Sequence, residues 1–149
     1  PLLSQSIKTI AVVLLINGAA GGLKQVLVDS KVTDEIVSLT NGLNLSPIVI
    51  SFIVAAILRI SLGSATIAAI TTLAIVEPLV PTVSYSPIFI MLSITTGSMF
   101  CSHVNDPGFW LFKQYLNLDF KTTFKTWTLG TTVSALIAFV IILIITSLT

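Results

Sequence analysis

Apolar residues fall in five blocks, at 7–23, 47–60, 64–80, 87–102 and 127–148, separated by segments that carry most of the charge and asparagine. The fifth block is long, uninterrupted and free of charge, which predicts a membrane-spanning helix over 127–148, because a span needs about 20 residues. A first helix is predicted over 7–23. The second and third blocks are each short for a span at ~1.5 Å of rise per residue. Only Ser61, Leu62 and Gly63 separate them. Two short helices joined by a Gly/Ser tip predict a re-entrant hairpin over 47–80 that enters the membrane, turns near its middle and leaves on the same side. Irregular backbone at that depth is tolerated inside protein or beside a water-filled cavity. Two tilted full spans joined by a tight turn are the alternative. The fourth block carries Thr95, Thr96, Gly97 and Ser98 and ends in Ser102-His103-Val104-Asn105-Asp106-Pro107-Gly108. Gly97 and then Pro107-Gly108 predict a broken helix over 87–103. Broken helices in transporters present their exposed ends to substrates and ions.

Composition turns this pattern into a class. The chain is 54% hydrophobic and 9% charged, with a mean hydropathy of +1.05. Soluble domains carry roughly 25% charged residues, so these apolar faces must meet lipid. The expected fold is an all-α polytopic transmembrane bundle with a re-entrant hairpin and a discontinuous helix. A net charge of +1 provides no basic field for nucleic acid. Cys101 is the single cysteine, which excludes an intrachain disulfide and reads as a small packing residue. The chain begins at Pro1 without a signal-peptide pattern. Its 149 residues hold about four or five membrane segments, so the expectation is a fragment: the C-terminal part of one transport domain.

Lysines orient the bundle. Segment 104–126 holds Lys113, Lys121 and Lys125, and segment 24–46 holds Lys24 and Lys31. The positive-inside rule then puts 104–126 in the cytoplasm as a loop, opens the hairpin outward and leaves the C-terminus outside. Trp110 and Trp127 flank that loop as interfacial anchors. Residues 120–127 have amphipathic character suited to the inner surface, and 34–45 reads as a short surface helix and loop.

Four groups of residues could carry chemistry. Arg59 ends an apolar helix just before the tip. An arginine at that depth is costly unless it meets an anion or water, and its planar guanidinium suits a carboxylate. A structural pair with an acid elsewhere, or snorkelling to an interface, is the plainer reading. Gly63, Ser64, Ala65 and Thr66 open the next helix, where free N–H groups and hydroxyls favour an anion; a simple cap with small packing residues would look the same. His103, Asn105 and Asp106 follow the fourth block. His103 and Asp106 could relay protons. Asn105 and Ser102 could bond sugar hydroxyls or hold a cation. A polar cap followed by an Asp-Pro-Gly turn is the plain alternative, and one His with one Asp makes too few ligands for a metal. Thr95 and Ser98 complete the candidate substrate contacts. Glu77, beside Pro78, reads as interfacial, and the small residues of 17–22 read as packing.

These residues together resemble the gluconate permease family of proton-coupled symporters. The likeness rests on Gly18-Ala19-Ala20-Gly21-Gly22 followed by Lys24-Gln25-Val26-Leu27-Val28-Asp29-Ser30, and on Ala55-Ala56-Ile57-Leu58-Arg59-Ile60-Ser61-Leu62-Gly63-Ser64-Ala65-Thr66. It is strongest at Ser102-His103-Val104-Asn105-Asp106-Pro107-Gly108-Phe109-Trp110-Leu111-Phe112-Lys113, and closes with Lys125-Thr126-Trp127-Thr128. The resemblance implies a bacterial inner-membrane protein about three times longer, with two related halves of inverted repeat, of which this is the second. It implies uptake of gluconate or a related sugar acid with protons and no cofactor. Arg59, Gly63, Ser64, Thr66, Thr95, Ser98 and Asn105 would bind substrate, and His103 and Asp106 would couple protons. The same fold carrying a hydroxy acid or dicarboxylate, or using sodium, is the nearest rival. A membrane-embedded enzyme and a non-transporting scaffold are rivals from other classes.

Overall fold

The computed structural model describes residues 45–148, together with Ala11, Gly22, Gln25, Val26, Asp29 and Ser30. The expectations for 7–23 and 34–45 lie almost wholly outside the described residues. Among the described residues the chain is helical, without a strand. The elements are α1 (Pro47–Leu62), α2 (Ala65–Val76) with a 3-10 turn (Glu77–Thr82), α3 (Ile88–Met99), α4 (Pro107–Tyr115), α5 (Phe120–Thr123), a π-helical turn (Phe124–Thr128) and α6 (Leu129–Leu148).

Local chemistry sets the boundaries. Pro47 occupies the first turn of α1, where its missing N–H is no loss. Gly63 ends α1 with φ of +72°, its N–H bonded to the Arg59 carbonyl at 3.0 Å. Glycine reaches this left-handed conformation without a Cβ penalty. Ser64 then caps α2, its Oγ accepting from the Ile67 N–H at 3.4 Å. Asp119 caps α5 by accepting from the Thr122 N–H at 2.7 Å. Hydrogen bonds from the Thr122 side chain and backbone hold the Asp119 carboxyl below the usual carboxylate range.

One buried stripe organises the packing. On α1 it runs through Ile48, Ser51, Phe52, Ala55, Ala56 and Arg59, at the i, i+3, i+4 spacing of one helix face. It meets a stripe of small and hydroxyl residues on α3, including Ser93, Thr96, Gly97 and Ser98. The Ser93 hydroxyl donates to the Ile48 carbonyl at 2.6 Å. Gly97 lets the backbones touch: a Cβ there would lie 2.5 Å from the Phe52 carbonyl oxygen and 2.8 Å from the Ala55 Cβ. Phe52 also stacks on Phe139 of α6, ring centroids 4.1 Å apart.

The outward faces are apolar as well. Ile53, Ile57, Met91, Leu92, Ile137 and Ile144 are exposed, and α6 buries Ala135 and Ile142 out of 20 residues. Small residues between helices and large apolar residues outside are the arrangement expected where the solvent is lipid. A water-facing surface does not carry contiguous apolar area of this kind.

Several expectations change in detail. The final helical run begins at Phe120 and continues to Leu148, 29 residues in all, rather than starting at 127, because Asp119 caps it and the π turn carries it onward. Segment 104–126 is not simply a loop, since it contains α4. The fourth block stops at Met99, and Gly97 is a packing residue rather than the break; the interruption is the turn before α4. Ala65–Thr82 is an 18-residue run apolar enough to cross a membrane, so shortness applies to α1 alone, at 16 residues or ~24 Å.

Gly97→Val in the full-length parent should weaken the α1–α3 contact by about 1–3 kcal/mol, the usual cost of overpacking. Thermal unfolding in detergent would show this as a lowered midpoint; an unchanged midpoint would mean that the contact is not tight.

Candidate functional site

The buried stripe of α1 ends in a charge. Arg59 lies one turn beyond Ala55 on the same face and is 4% exposed. Its guanidinium reaches two partners in different segments of the chain. Nη1 donates to the carbonyl of Gly63, in the tip that joins α1 to α2. Nη2 donates to Asp106 Oδ2 in a salt bridge. Nε is buried without a hydrogen-bond partner.

Asp106 is held there by its own helix. It is the N-cap of α4, with Oδ1 accepting the Gly108 N–H at 2.8 Å, and Pro107 takes the first helical position. Oδ2 accepts a second hydrogen bond from the Ser102 hydroxyl. Ser102 in turn accepts from Trp127 Nε1 at 2.7 Å. The π turn of 124–128 carries that indole, and its ring lies 5.0 Å from that of Phe112 of α4. π turns occur often at functional positions, because the extra residue re-aims a side chain. Asn105 closes the arrangement from the other side: its Nδ2 donates to the Ile60 carbonyl at 2.6 Å. A Cβ on Gly63 would run into the Asn105 carbonyl.

A continuous polar chain therefore links the final helical run to the hairpin tip, from Trp127 through Ser102, Asp106 and Arg59 to Gly63. Of the nine residues picked out from sequence, Arg59, Gly63, Asn105 and Asp106 meet in this cluster. Ser64 adjoins it as the α2 cap. Thr66 is exposed just beyond it. His103 directs Nδ1 to the Cys101 carbonyl at 2.9 Å, within its own turn. Thr95 bonds back to the Met91 carbonyl at 2.8 Å and lines a separate apolar groove of about 150 Å³ with Ala69, Ile70 and Leu73. Ser98 bonds back to the Thr95 carbonyl at 2.8 Å. No contact described joins Thr95 or Ser98 to the cluster.

Two members escape sequence reasoning. Trp127 reads as an interfacial anchor, yet its indole N–H is spent on Ser102. Ser102 reads as a hydroxyl for sugar or cation, yet it bridges Trp127 and Asp106. The π turn that aims Trp127 has no signature in FKTWT.

The arrangement satisfies a charge that an apolar bundle would otherwise reject. It leaves Nε of Arg59 buried without a hydrogen-bond partner. Arg59→Ala or Asp106→Ala alone should destabilise the full-length parent by about 3–5 kcal/mol, because the remaining charge stays buried and unpaired. Arg59→Met with Asp106→Leu should recover most of that loss. Thermal unfolding in detergent checks both; a single variant as stable as wild type would show that the pair does not hold the tip.

The family model described as GntP family permease matches residues 1–149. The high-affinity gluconate transporter of Escherichia coli K12 is 50% identical over 131 residues, 88% of this chain and 30% of the relative. The gluconate permease of Bacillus subtilis is 47% identical over 130 residues, 87% of this chain and 29% of the relative. The Gnt-II system L-idonate transporter of Escherichia coli K12 is 48% identical over 127 residues, 85% of this chain and 29% of the relative. The chain thus spans about 30% of the length of these curated relatives. No solved structure matches it. The relatives carry the names of permeases and transporters rather than enzymes, and with its apolar helices this is a membrane protein: the chain belongs to the GntP permease family.

Proposed function

We propose that this chain is the C-terminal part of a secondary transporter that imports gluconate or a related sugar acid with protons across the bacterial inner membrane. The observation that carries the reading is a buried arginine, held by an acid at the meeting point of a helical hairpin tip and an interrupted segment, inside an otherwise apolar bundle. Intramembrane ionisable groups of this kind mark substrate and ion pathways. The names of the relatives support a sugar acid as cargo, and the L-idonate transporter supports a range wider than gluconate alone.

In this reading the substrate carboxylate approaches Arg59 beside the Gly63, Ser64 and Thr66 end of α2. Asn105 and the nearby hydroxyls favour the sugar's own hydroxyl groups. Asp106, with His103 in the same turn, handles the proton. The hairpin opens outward, and the segment around α4 faces the cytoplasm with Lys113, Lys121 and Lys125. A second half-site comes from the remainder of the parent protein, arranged as an inverted repeat, and alternating access follows from one half rocking against the other.

Labelled gluconate uptake by the full-length parent in proteoliposomes tests this. Uptake should follow an inwardly directed proton gradient and vanish with a protonophore. Unlabelled L-idonate should compete. Uptake that ignores the proton gradient and follows sodium would replace the coupling ion, and absence of uptake by folded protein would remove gluconate as cargo.

A further inference from the structure

Arginine carries five N–H donors in a rigid plane. In Arg59, Nη1 serves the Gly63 carbonyl and Nη2 serves Asp106, while Nε is buried and idle. Nε and Nη2 lie along one edge of the guanidinium, the edge that a carboxylate grips with both oxygens. Asp106 takes Nη2 and leaves Nε without a partner. Its Oδ2 sits on Nη2, and its Oδ1 is turned away to the Gly108 N–H at 2.8 Å. The stronger two-oxygen grip is therefore unfilled in the resting arrangement.

Charge then decides what an arriving anion must do. With Arg59 and Asp106 both ionised, the cluster is neutral. A second carboxylate added beside them leaves a net negative charge in apolar surroundings, which is unfavourable without a compensating cation. Arg59 from α1 is the charged group that faces Asp106. Ser102 and the Gly108 N–H complete its contacts. His103 keeps Nδ1 on the Cys101 carbonyl.

We propose that the transported carboxylate and the Asp106 carboxylate compete for one edge of the Arg59 guanidinium, and that the substrate takes this edge as Asp106 takes up the proton that travels with it. This rests on the reading of the parent as a sugar-acid transporter. The balance is one for one. A hydronium ion gives its proton to Asp106 Oδ2 and leaves as water, the Arg59–Asp106 ion pair breaks, and a substrate carboxylate binds along Nε and Nη2. One anion and one proton enter, and the cluster stays neutral. Release reverses each step.

The surroundings fit the exchange. Protonated Asp106 needs an acceptor for its new O–H, and a serine hydroxyl switches between donating and accepting. Ser102 can accept from Asp106 while it continues to accept from Trp127 Nε1. The Gly108 N–H keeps its hold on Oδ1, so Asp106 stays at the head of α4. Ser102 and Trp127 are thus positioning residues, which keep the neutral acid within reach of Arg59 for the return step.

The test uses the full-length parent with Asp106→Asn, whose one amide oxygen can still accept the Gly108 N–H but which cannot carry the charge. Expected is gluconate binding by the variant without proton uptake, and loss of uphill accumulation of labelled gluconate on a pH gradient. The unmutated parent, in weakly buffered detergent solution, should take up about one proton per gluconate bound. An Asp106→Asn protein that still accumulates gluconate on a pH gradient overturns the proposal. So does wild-type binding without proton uptake, and so does a correctly inserted variant that neither binds nor exchanges gluconate. If the variant does not fold, the wild-type proton measurement decides alone. A wild-type parent that moves no sugar acid defeats the sugar-acid reading itself, an outcome distinct from a wild type that transports but takes up no proton on binding.

Discussion

A single charge buried among apolar helices is the constraint from which the rest of this structure follows. Arg59 continues the face of α1 that packs on α3, so it cannot turn to lipid without breaking that face. It must find an anion inside, and Asp106 supplies it. Asp106 must in turn be held at the right depth, which the first turn of α4 accomplishes through the Gly108 N–H. The remaining lone pairs of the carboxylate draw in Ser102, and Ser102 draws in Trp127. Each link satisfies a polar group that the previous one exposes. In a bilayer, where water does not repair a missed hydrogen bond, such a sequence has to run until it closes.

Much of this was legible in the residues. The low charge, the five apolar blocks and the absence of a soluble face gave the class directly. Pro47, Gly63 and Ser64 marked the ends of α1 and α2, since each has a local conformational reason to sit there. Arg59 stood out because an arginine among isoleucines demands a partner, although the sequence did not say whether that partner was Asp106 or a ligand. The losses have physical causes. Gly97 was read as a break because glycine weakens a helix, but close backbone approach uses the same residue, and only the neighbour at Phe52 decides between them. The start of the final helix was missed because Lys121 and Lys125 look like loop residues, while Asp119 is equally a cap. Trp127 reads as an interfacial anchor, and its bond to Ser102 is not legible in the sequence because Ser102 lies in another segment. Thr95 and Ser98 enter the candidate site by analogy with a broken transporter helix, and in this structure each hydroxyl returns to its own backbone.

The packing between α1 and α3 also bears on motion. Apolar residues lie on both the inward and outward faces, so transfer from lipid contributes little to their association. Cohesion comes from close contact at Gly97 and Ala55 and from the bond between Ser93 and the Ile48 carbonyl. Such contacts are short-ranged and specific. They favour α1 and α3 moving as one unit, with rearrangement confined to the polar junction at their end.

The length of α6 bears on depth. Its 20 residues rise ~30 Å, which is the thickness of the hydrocarbon slab. Standing upright, α6 alone crosses it, and the π turn with Trp127 falls at the slab's edge. An upright α6 would then place the Arg59–Asp106 pair, two hydrogen bonds from Trp127, on the side of the slab where α6 begins. In the proposed exchange, that asymmetry would let the acid draw its proton from one face of the membrane.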